Sequence, residues 1–531
     1  MDPRVGRLLK RGRSDADDGH WRRPSPLSRA AMHSSKAPRI VSYSQPNGAE
    51  ISMRSVAMVS TFAGMVFRCE AQDHNANSPT AQSVFAHSFV SNNFTHQAVD
   101  QTLRAELEGK VIRGIPIEKF ALEAFPKISQ VVAQIPPHNQ LEYVSAVKTY
   151  LRSATEGNDR RMMYQHFISL VDQVVTARYS GVRLVLLEGR SVKGSVDRRS
   201  ASAAPYMRMM LNHFSMNRVP ACFVRYGRAS AKDISWEDVL APFYFTAPRS
   251  QSQPPVNNQA AVQPTSRRAK LKANTGARNS LSTAPKLEPH EILAGYALEI
   301  LSTSGLRQHT FAVFVDNEAV SIWYFDRSGA ISSADMNLAT DAGRDSFYHV
   351  LGVFACAGRN DWGFVERLCS HTDWPSVENA GRLVLWDREE QQQNWILANL
   401  TRLNNGSRGL IGRGTVVYSF GQDDDPSARY SLKLSWQPVT RTSEVEFLMR
   451  AEAAGIEGIP KVLSADNLAV LSDGIRGRLS SLAPGAAQTD RELRALVFDR
   501  VCRPLQEFPI KERPLDFLKL IKKLIISKLL L

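Results

Sequence analysis

The chain has 531 residues, 43% of them hydrophobic, and a formal net charge of +14. This length exceeds that of one ordinary core and predicts about two or three domains. Two segments, residues 1–40 and 247–290, each carry a net charge of +6, so the remaining chain is close to neutral. A basic folded surface that binds specific nucleic acid is therefore not expected, and the charge lies on basic arms.

The cysteine pattern and the hydropathy of the chain indicate the cellular compartment of the protein. The five cysteines are odd in number and scattered, without a Cys-x-x-Cys pair, which favours reduced thiols over a disulfide framework or a zinc site. The apolar residues 515–531 contain lysines at 519, 522, 523 and 528, and lysine within a bilayer is costly. We therefore predict an intracellular protein of the cytoplasm or nucleus, without a membrane span.

The first half of the chain predicts a mixed α/β region. Residues 1–50 lack periodicity and are predicted to be disordered. Order begins near residue 84, and apolar residues then recur at helical spacing over 98–111, 141–151 and 162–175. Strands are predicted over 182–187, 222–226 and 234–245, with a helical stretch around 206–214. We assign 84–246 to this region, and 247–290 to a basic low-complexity linker.

Residues 291–400 predict a hairpin combined with helices. A helix over 292–301 precedes two apolar strands, 310–315 and 320–325, which flank the turn Asp316-Asn317. Such a turn between apolar runs is a strong hairpin signal. Helical spacing returns over 345–357, and a further strand is predicted over 383–386.

Residues 408–508 carry the pattern that suggests chemistry. Gly412 and Gly414 precede a strand, and glycines in a hairpin allow backbone N–H groups to approach phosphates closely. By strand alternation, Lys433 lies on the face opposite Leu432 and Leu434. A helix predicted over 443–454 follows, and strands are predicted over 461–464 and 493–498.

Kinases use a strand lysine to hold the α- and β-phosphates of ATP, aligned by a glutamate of the next helix. Glu444 and Glu446 are candidates for that glutamate. The alternative is that Lys433 is a solvated edge lysine and that both glutamates pair with Arg441 or Arg450 on the helix surface. Gly-x-Gly alone is also compatible with an ordinary turn.

Several blocks in order resemble the fungal-type protein kinase domain family. They occupy residues 150–161, 235–236, 297–309, 323–329, 412–417, 432–437 and 441–444. The resemblance extends from about residue 130 almost to the last residue. It implies an α+β fold in which a protein-kinase-like small lobe (408–508) follows an α/β region particular to the family. It also implies transfer of the γ-phosphoryl group of ATP, with Mg, to Ser/Thr of a protein whose identity the sequence does not specify.

The resemblance also implies roles for individual residues. Gly412, Arg413 and Gly414 would form the phosphate loop, and Val417 would cover the adenine. Lys433 would bind the α- and β-phosphates with Glu444 as its partner, Glu446 being the second choice. Residues 492–498 would lead into a hinge at 499–503 that offers backbone groups to adenine.

The sequence also departs from the family pattern. Either the third glycine is absent or the loop is two residues shorter, and neither His-Arg-Asp nor Asp-Phe-Gly follows the glycines. Residues 509–531, including an amphipathic helix over 514–530, resemble the start of a large lobe that is cut short. We therefore assign no catalytic and no metal-binding residue, and expect lost activity and weakened ATP binding. The alternative is a non-catalytic interaction protein that binds a partner through its α/β region.

Overall fold

The computed structural model describes residues 96–134, 140–156, 160–175, 182–187, 220–225, 234, 236–246, 287–303, 306–368, 382–387, 392–396, 398–403, 409–422, 425–456, 459–483, 489–501 and 515. The predictions for 1–50, 206–214 and 247–286 lie outside these residues, as does that for 514–530 apart from Leu515. Helices and mixed or antiparallel sheets within them confirm the α+β class.

The first sheet contains eight of the described strands. They are β1 (Val111–Ile115), β2 (Val182–Leu186), β3 (Ala221–Arg225), β4 (Val239–Phe245), β5 (His309–Asp316), β6 (Ala319–Asp326), β7 (Ala330–Ser333) and β8 (Met336–Asn337). Their order is β1-β7-β6-β5-β4-β3-β2, with β8 paired to β6. The pairs β1–β7 and β4–β5 are parallel, and the other pairs are antiparallel.

Helices cover both faces of this sheet. They are α1 (His96–Leu107), α2 (Ile117–Ala124), α3 (Pro126–Gln134), α4 (Gln140–Thr155), α5 (Arg160–Val175), α6 (Pro289–Thr303) and α7 (Asp341–Cys356). One core joins α2, α4, α5 and α7 to sheet residues such as Phe311 and Val313. The other core joins α1 and α6 to the alternate residue Ala312 and to Phe325. Strand alternation thus supplies two apolar faces, and each face is buried by helices.

Several local predictions for this half are confirmed, and one boundary is wrong. The hairpin of β5 and β6 turns at Asn317, whose φ is 54°, and helices occupy the predicted 141–151 and 162–175. The helical spacing assigned to 98–111 ends at Leu107, and Val111 begins β1 instead. Gly109 adopts a φ of 68°, a left-handed conformation that commonly ends a helix.

The second sheet contains seven described strands, all paired antiparallel. They are β9 (Arg382–Asp387), β10 (Gln392–Ile396), β11 (Ala398–Arg402), β12 (Val416–Gln422), β13 (Asp425–Pro438), β14 (Val462–Val470) and β15 (Arg491–Phe498). Their order is β10-β9-β14-β15-β13-β12-β11. Two helices accompany them, α8 (Glu444–Ala453) and α9 (Ile475–Ser481). The segment 291–400 therefore contributes strands to both sheets.

The two faces of the second sheet have different neighbours. Val416, Tyr418, Leu432 and Leu434 point to one face, where they join a buried cluster with Leu306, Val365 and Leu368 from the first half of the chain. Leu496 and Phe498 point to the other face, where they pack with Leu448 of α8. One face is thus covered by the preceding region, and the other carries α8 and Lys433. Among the described residues, no helix combines the length and the apolar character needed to cross a bilayer.

Candidate functional site

Lys433 and Glu444 form the centre of the candidate site. Lys433 lies on β13, which is flanked by β12 and β15, so it is not on an edge strand. Its Nζ donates to Oε1 of Glu444 at 2.5 Å and to Oε2 at 2.7 Å. The two side chains are 23% and 16% exposed, so the pair is shielded from solvent but still reachable.

The start of α8 fixes the position of Glu444. The side chain of Ser443 caps the helix by accepting a hydrogen bond from the Val445 amide at 3.3 Å. Further along, Leu448 packs against Leu496 of the sheet, which holds the helix against that face. Glu446 is exposed, so the structure pairs Lys433 with the first predicted partner rather than the second.

Apolar residues flank Lys433 on both neighbouring strands. Val417 on β12 is the cross-strand neighbour of Lys433, and Leu496 on β15 is its neighbour on the other side. Directly paired residues project from the same face of a sheet. Val417 and Lys433 are both partly buried, whereas Val416 and Leu434 are buried on the opposite face. The structure therefore brings together two of the residues that the sequence singled out.

Residues 409–415, here called the glycine loop, lie directly before β12. Gly412 has a φ of 130° and Gly414 has a φ of 48°. Residues that carry a Cβ rarely adopt these backbone conformations. A Cβ added to Gly412 would meet nothing within 4 Å, but one on Gly414 would lie 2.5 Å from Nε of Arg327. Gly412 is thus the position where an external group could approach the backbone, whereas close packing on Arg327 requires glycine at 414.

Positive charge surrounds the glycine loop. Arg413 is exposed, its carbonyl accepts from the Trp436 amide at 2.7 Å, and its side chain is close to Arg441 and Glu444. Partial desolvation and the nearby Arg441 lower the pKa of Arg413, while Glu444 raises it. Among the described residues, the amides of Arg413 and Gly414 have no hydrogen-bond partner. Cationic side chains beside such amides suit an anionic ligand.

Sequence reasoning missed Glu106, a residue of α1 that hydrogen-bonds to the glycine loop beside the second sheet. Oε2 of Glu106 accepts from the amides of Leu410 at 2.8 Å and Ile411 at 3.2 Å. Burial raises the pKa of Glu106 to about 7, although these amides and Arg327 act in the opposite direction. Glu106 lies three residues after Leu103, on the apolar face of α1. This position was the sequence signal that the carboxyl group is buried.

Arg327 contacts the same loop. Its Nη1 donates to the carbonyls of Gly409 at 2.7 Å and Leu410 at 3.2 Å, and its own carbonyl accepts from the Gly412 amide at 3.0 Å. Arg327 therefore has a structural role, and the guanidinium above the nearby Trp323 belongs to Arg113, at 5.7 Å from the ring centroid.

The predicted hinge is described only in part. The amide of Asp499 donates to the Lys461 carbonyl at 3.0 Å, and Oγ of Ser431 donates to the Arg500 carbonyl at 2.8 Å. These bonds tie the end of β15 to β14 and β13. Residues 502 and 503 lie outside the described residues.

Comparison with known proteins finds a family-model match over part of the chain. Residues 277–481 match the family model described as fungal protein kinase. The match includes the glycine loop, Lys433 and Glu444, and it confirms the resemblance found in the sequence. No curated protein and no solved structure matches the chain at a significant level. The matched residues are thus kinase-like, and they include α8 and every strand of the second sheet except β15, which begins at Arg491.

Proposed function

We propose that the glycine loop, β12, β13 and α8 bind the phosphates of Mg-ATP as the small lobe of a protein kinase does. The observation that carries this proposal is the ion pair of Lys433 with Glu444 on an interior strand beside the glycine loop. Protein kinases need this strand-lysine and helix-glutamate pair in place for phosphoryl transfer. By family, the acceptor is a Ser or Thr hydroxyl of a protein.

The donor geometry supports a phosphate ligand. An ammonium group has three N–H donors, and the two oxygens of Glu444 engage the ammonium of Lys433 from one side. The pair therefore orients the amine while retaining donor capacity for a phosphate oxygen. Arg413 and the amides of 413 and 414 add positive potential next to it. Val417, partly buried beside Lys433, supplies an apolar side chain of the kind that an adenine ring contacts.

Magnesium neutralises the charge that develops on the phosphates when it is bound in a kinase. No group of three His, Cys, Asp or Glu residues within the described part of the chain could hold a metal ion. His-Arg-Asp and Asp-Phe-Gly do not occur in the sequence after the glycine loop. The residues assigned here are those of nucleotide binding, and we assign no metal ligand and no proton acceptor.

Titration calorimetry of the full chain with Mg-ATP tests the proposal. Lys433→Met should weaken binding about tenfold or more, because a charge-assisted bond to phosphate is lost. Lys148→Met, a matched change at an exposed position of α4, should leave the affinity unchanged. Equal affinities of wild type and Lys433→Met, both folded by circular dichroism, would refute the phosphate role. Absence of binding by the wild type would favour the non-catalytic interaction protein.

A further inference from the structure

The glycine loop is anchored by side chains that belong to the first sheet and its helices. Glu106 on α1 is 9% exposed and accepts the amides of Leu410 and Ile411. Arg327, in the turn between β6 and β7, is 1% exposed and donates to the carbonyls of Gly409 and Leu410. Backbone donors and acceptors of one short segment are thus engaged by one buried carboxyl group and one buried guanidinium.

The anchor extends to α6. Nη2 of Arg327 donates to the Leu301 carbonyl at 2.7 Å, so one guanidinium links α6 to the glycine loop. Arg402, at the end of β11, donates to the Thr303 carbonyl at 2.5 Å. Through Arg402 and Arg327, β11 and the glycine loop are therefore both linked to the carboxyl end of α6. Close packing also explains why residue 409 is a glycine, because a Cβ at this position would collide with Oε1 of Glu106.

We propose that Glu106 and Arg327 are positioning residues that fix the glycine loop beside Lys433 and thereby set the affinity for nucleotide. The inference rests on the proposed function, because nucleotide is the ligand whose affinity would change. Neither side chain needs to touch the nucleotide. Their effect is to restrict the loop before binding, which lowers the entropy that binding must remove.

The charge of Glu106 makes this role measurable by pH. Glu106 faces Arg327 and Lys110 as well as the two loop amides, and Arg402, Arg491 and Asp326 lie around Arg327. Burial raises the pKa of Glu106 to about 7, so its ionisation changes near neutral pH. Hydrogen bonds from amides to a carboxylate are stronger than those to a neutral acid. The loop should therefore be held less firmly as the pH falls through about 7.

Two measurements on the full chain test the proposal. Glu106→Gln should weaken Mg-ATP binding about fivefold to tenfold at about pH 8, and should reduce its pH dependence between about pH 6 and about pH 8. Glu142→Gln, the same change at an exposed position of α4, should match wild type at both values. Hydrogen–deuterium exchange of peptides covering 409–412 should be faster in Glu106→Gln without any nucleotide.

The outcomes separate this inference from the proposed function. Wild-type affinity and pH profile in Glu106→Gln would overturn the inference. If the wild type bound no Mg-ATP, the proposed function would fail, and exchange alone would decide whether the anchor exists: faster exchange supports it and unchanged exchange overturns it. If Glu106→Gln does not fold, Arg327→Lys provides the second variant, because lysine keeps the charge but loses the forked contact with two carbonyls.

Discussion

Nζ of Lys433 and the carboxylate of Glu444 join β13, an interior strand of the second sheet, to the first turn of α8, at 2.5 Å and 2.7 Å. The pair is formed by residues only eleven positions apart, so the short connection between β13 and α8 sets its geometry. Ser443 caps the helix immediately before Glu444. The short local connection thus positions the carboxylate against the ammonium group.

The first prediction compares the two glutamates of α8. Glu444→Gln should weaken Mg-ATP binding by about fivefold, because a neutral amide orients the Lys433 ammonium less strongly than a carboxylate. Glu446→Gln is the matched change at an exposed side chain on a different face of α8. It should have no measurable effect on Mg-ATP binding. Calorimetric titration of both variants provides the comparison. Equal weakening by both would show that general charge, and not the pair, governs affinity.

The second prediction concerns the two loop glycines. Gly414→Ala should lower stability by about 2–4 kcal/mol, because alanine is strained at a φ of 48° and its Cβ would press on the buried Arg327 guanidinium. Gly412→Ala carries backbone strain but meets no neighbouring atom within 4 Å. Its loss of stability should therefore be smaller. Urea unfolding of the two variants measures the difference, and the reverse order would contradict the packing described for Arg327.

The third prediction concerns a buried ion pair between the halves of the chain. Asp326 is fully buried, pairs with Nε of Arg476 on α9, and accepts from the Tyr324 hydroxyl at 2.9 Å. Arg476→Met should destabilise the chain by about 3–5 kcal/mol, because it leaves a buried charge without its cation.

A surface variant is the control for this pair. Asp341→Asn removes a 92%-exposed carboxylate that pairs with Arg344, and it should shift the thermal midpoint far less. Thermal melts of both variants supply the comparison. Similar midpoints for Arg476→Met and wild type would show that the hydrogen bonds to Asp326 from Tyr324 and Ser328 suffice to hold the buried carboxylate.

Local patterns predicted much of this fold because their causes are local. The Asp316-Asn317 turn, the helices α4 and α5, and the lysine between apolar neighbours on β13 depend on residues close in sequence. The family resemblance implied that Glu444 partners Lys433, and the structure pairs them. The ATP role of these residues stays a prediction.

The missed features depend on distant residues. Glu106 is separated from Leu410 by 304 positions and Arg327 from Gly409 by 82, and no periodicity reports such contacts. Helix α9 escaped prediction because it spans seven residues, too few for a repeated apolar pattern. The sequence therefore indicated which groups could bind phosphate, but not which groups hold the loop that carries them.

The last prediction concerns the pH dependence of stability that Glu106 causes. A carboxyl whose pKa is raised on folding, here from 4.5 to about 7, favours its neutral form in the folded state. The contribution of Glu106 to the free energy of unfolding is therefore most favourable below the pKa that it has in the unfolded chain. This contribution is lost as the pH rises through the pKa that it has in the folded chain. The full loss would be on the order of 3 kcal/mol for a shift of this size.

Glu106→Gln removes this titration, so its stability relative to wild type should rise as the pH increases from about 5 to about 8. The same substitution should weaken nucleotide binding at about pH 8, which separates the cost of the buried charge from its use in anchoring the glycine loop. Thermal midpoints of wild type, Glu106→Gln and the exposed-site control Glu142→Gln, measured across this pH range, test the sign. Parallel curves for all three proteins would mean that Glu106 titrates alike in the folded and unfolded chain, and that the carboxylate is not buried against the loop amides.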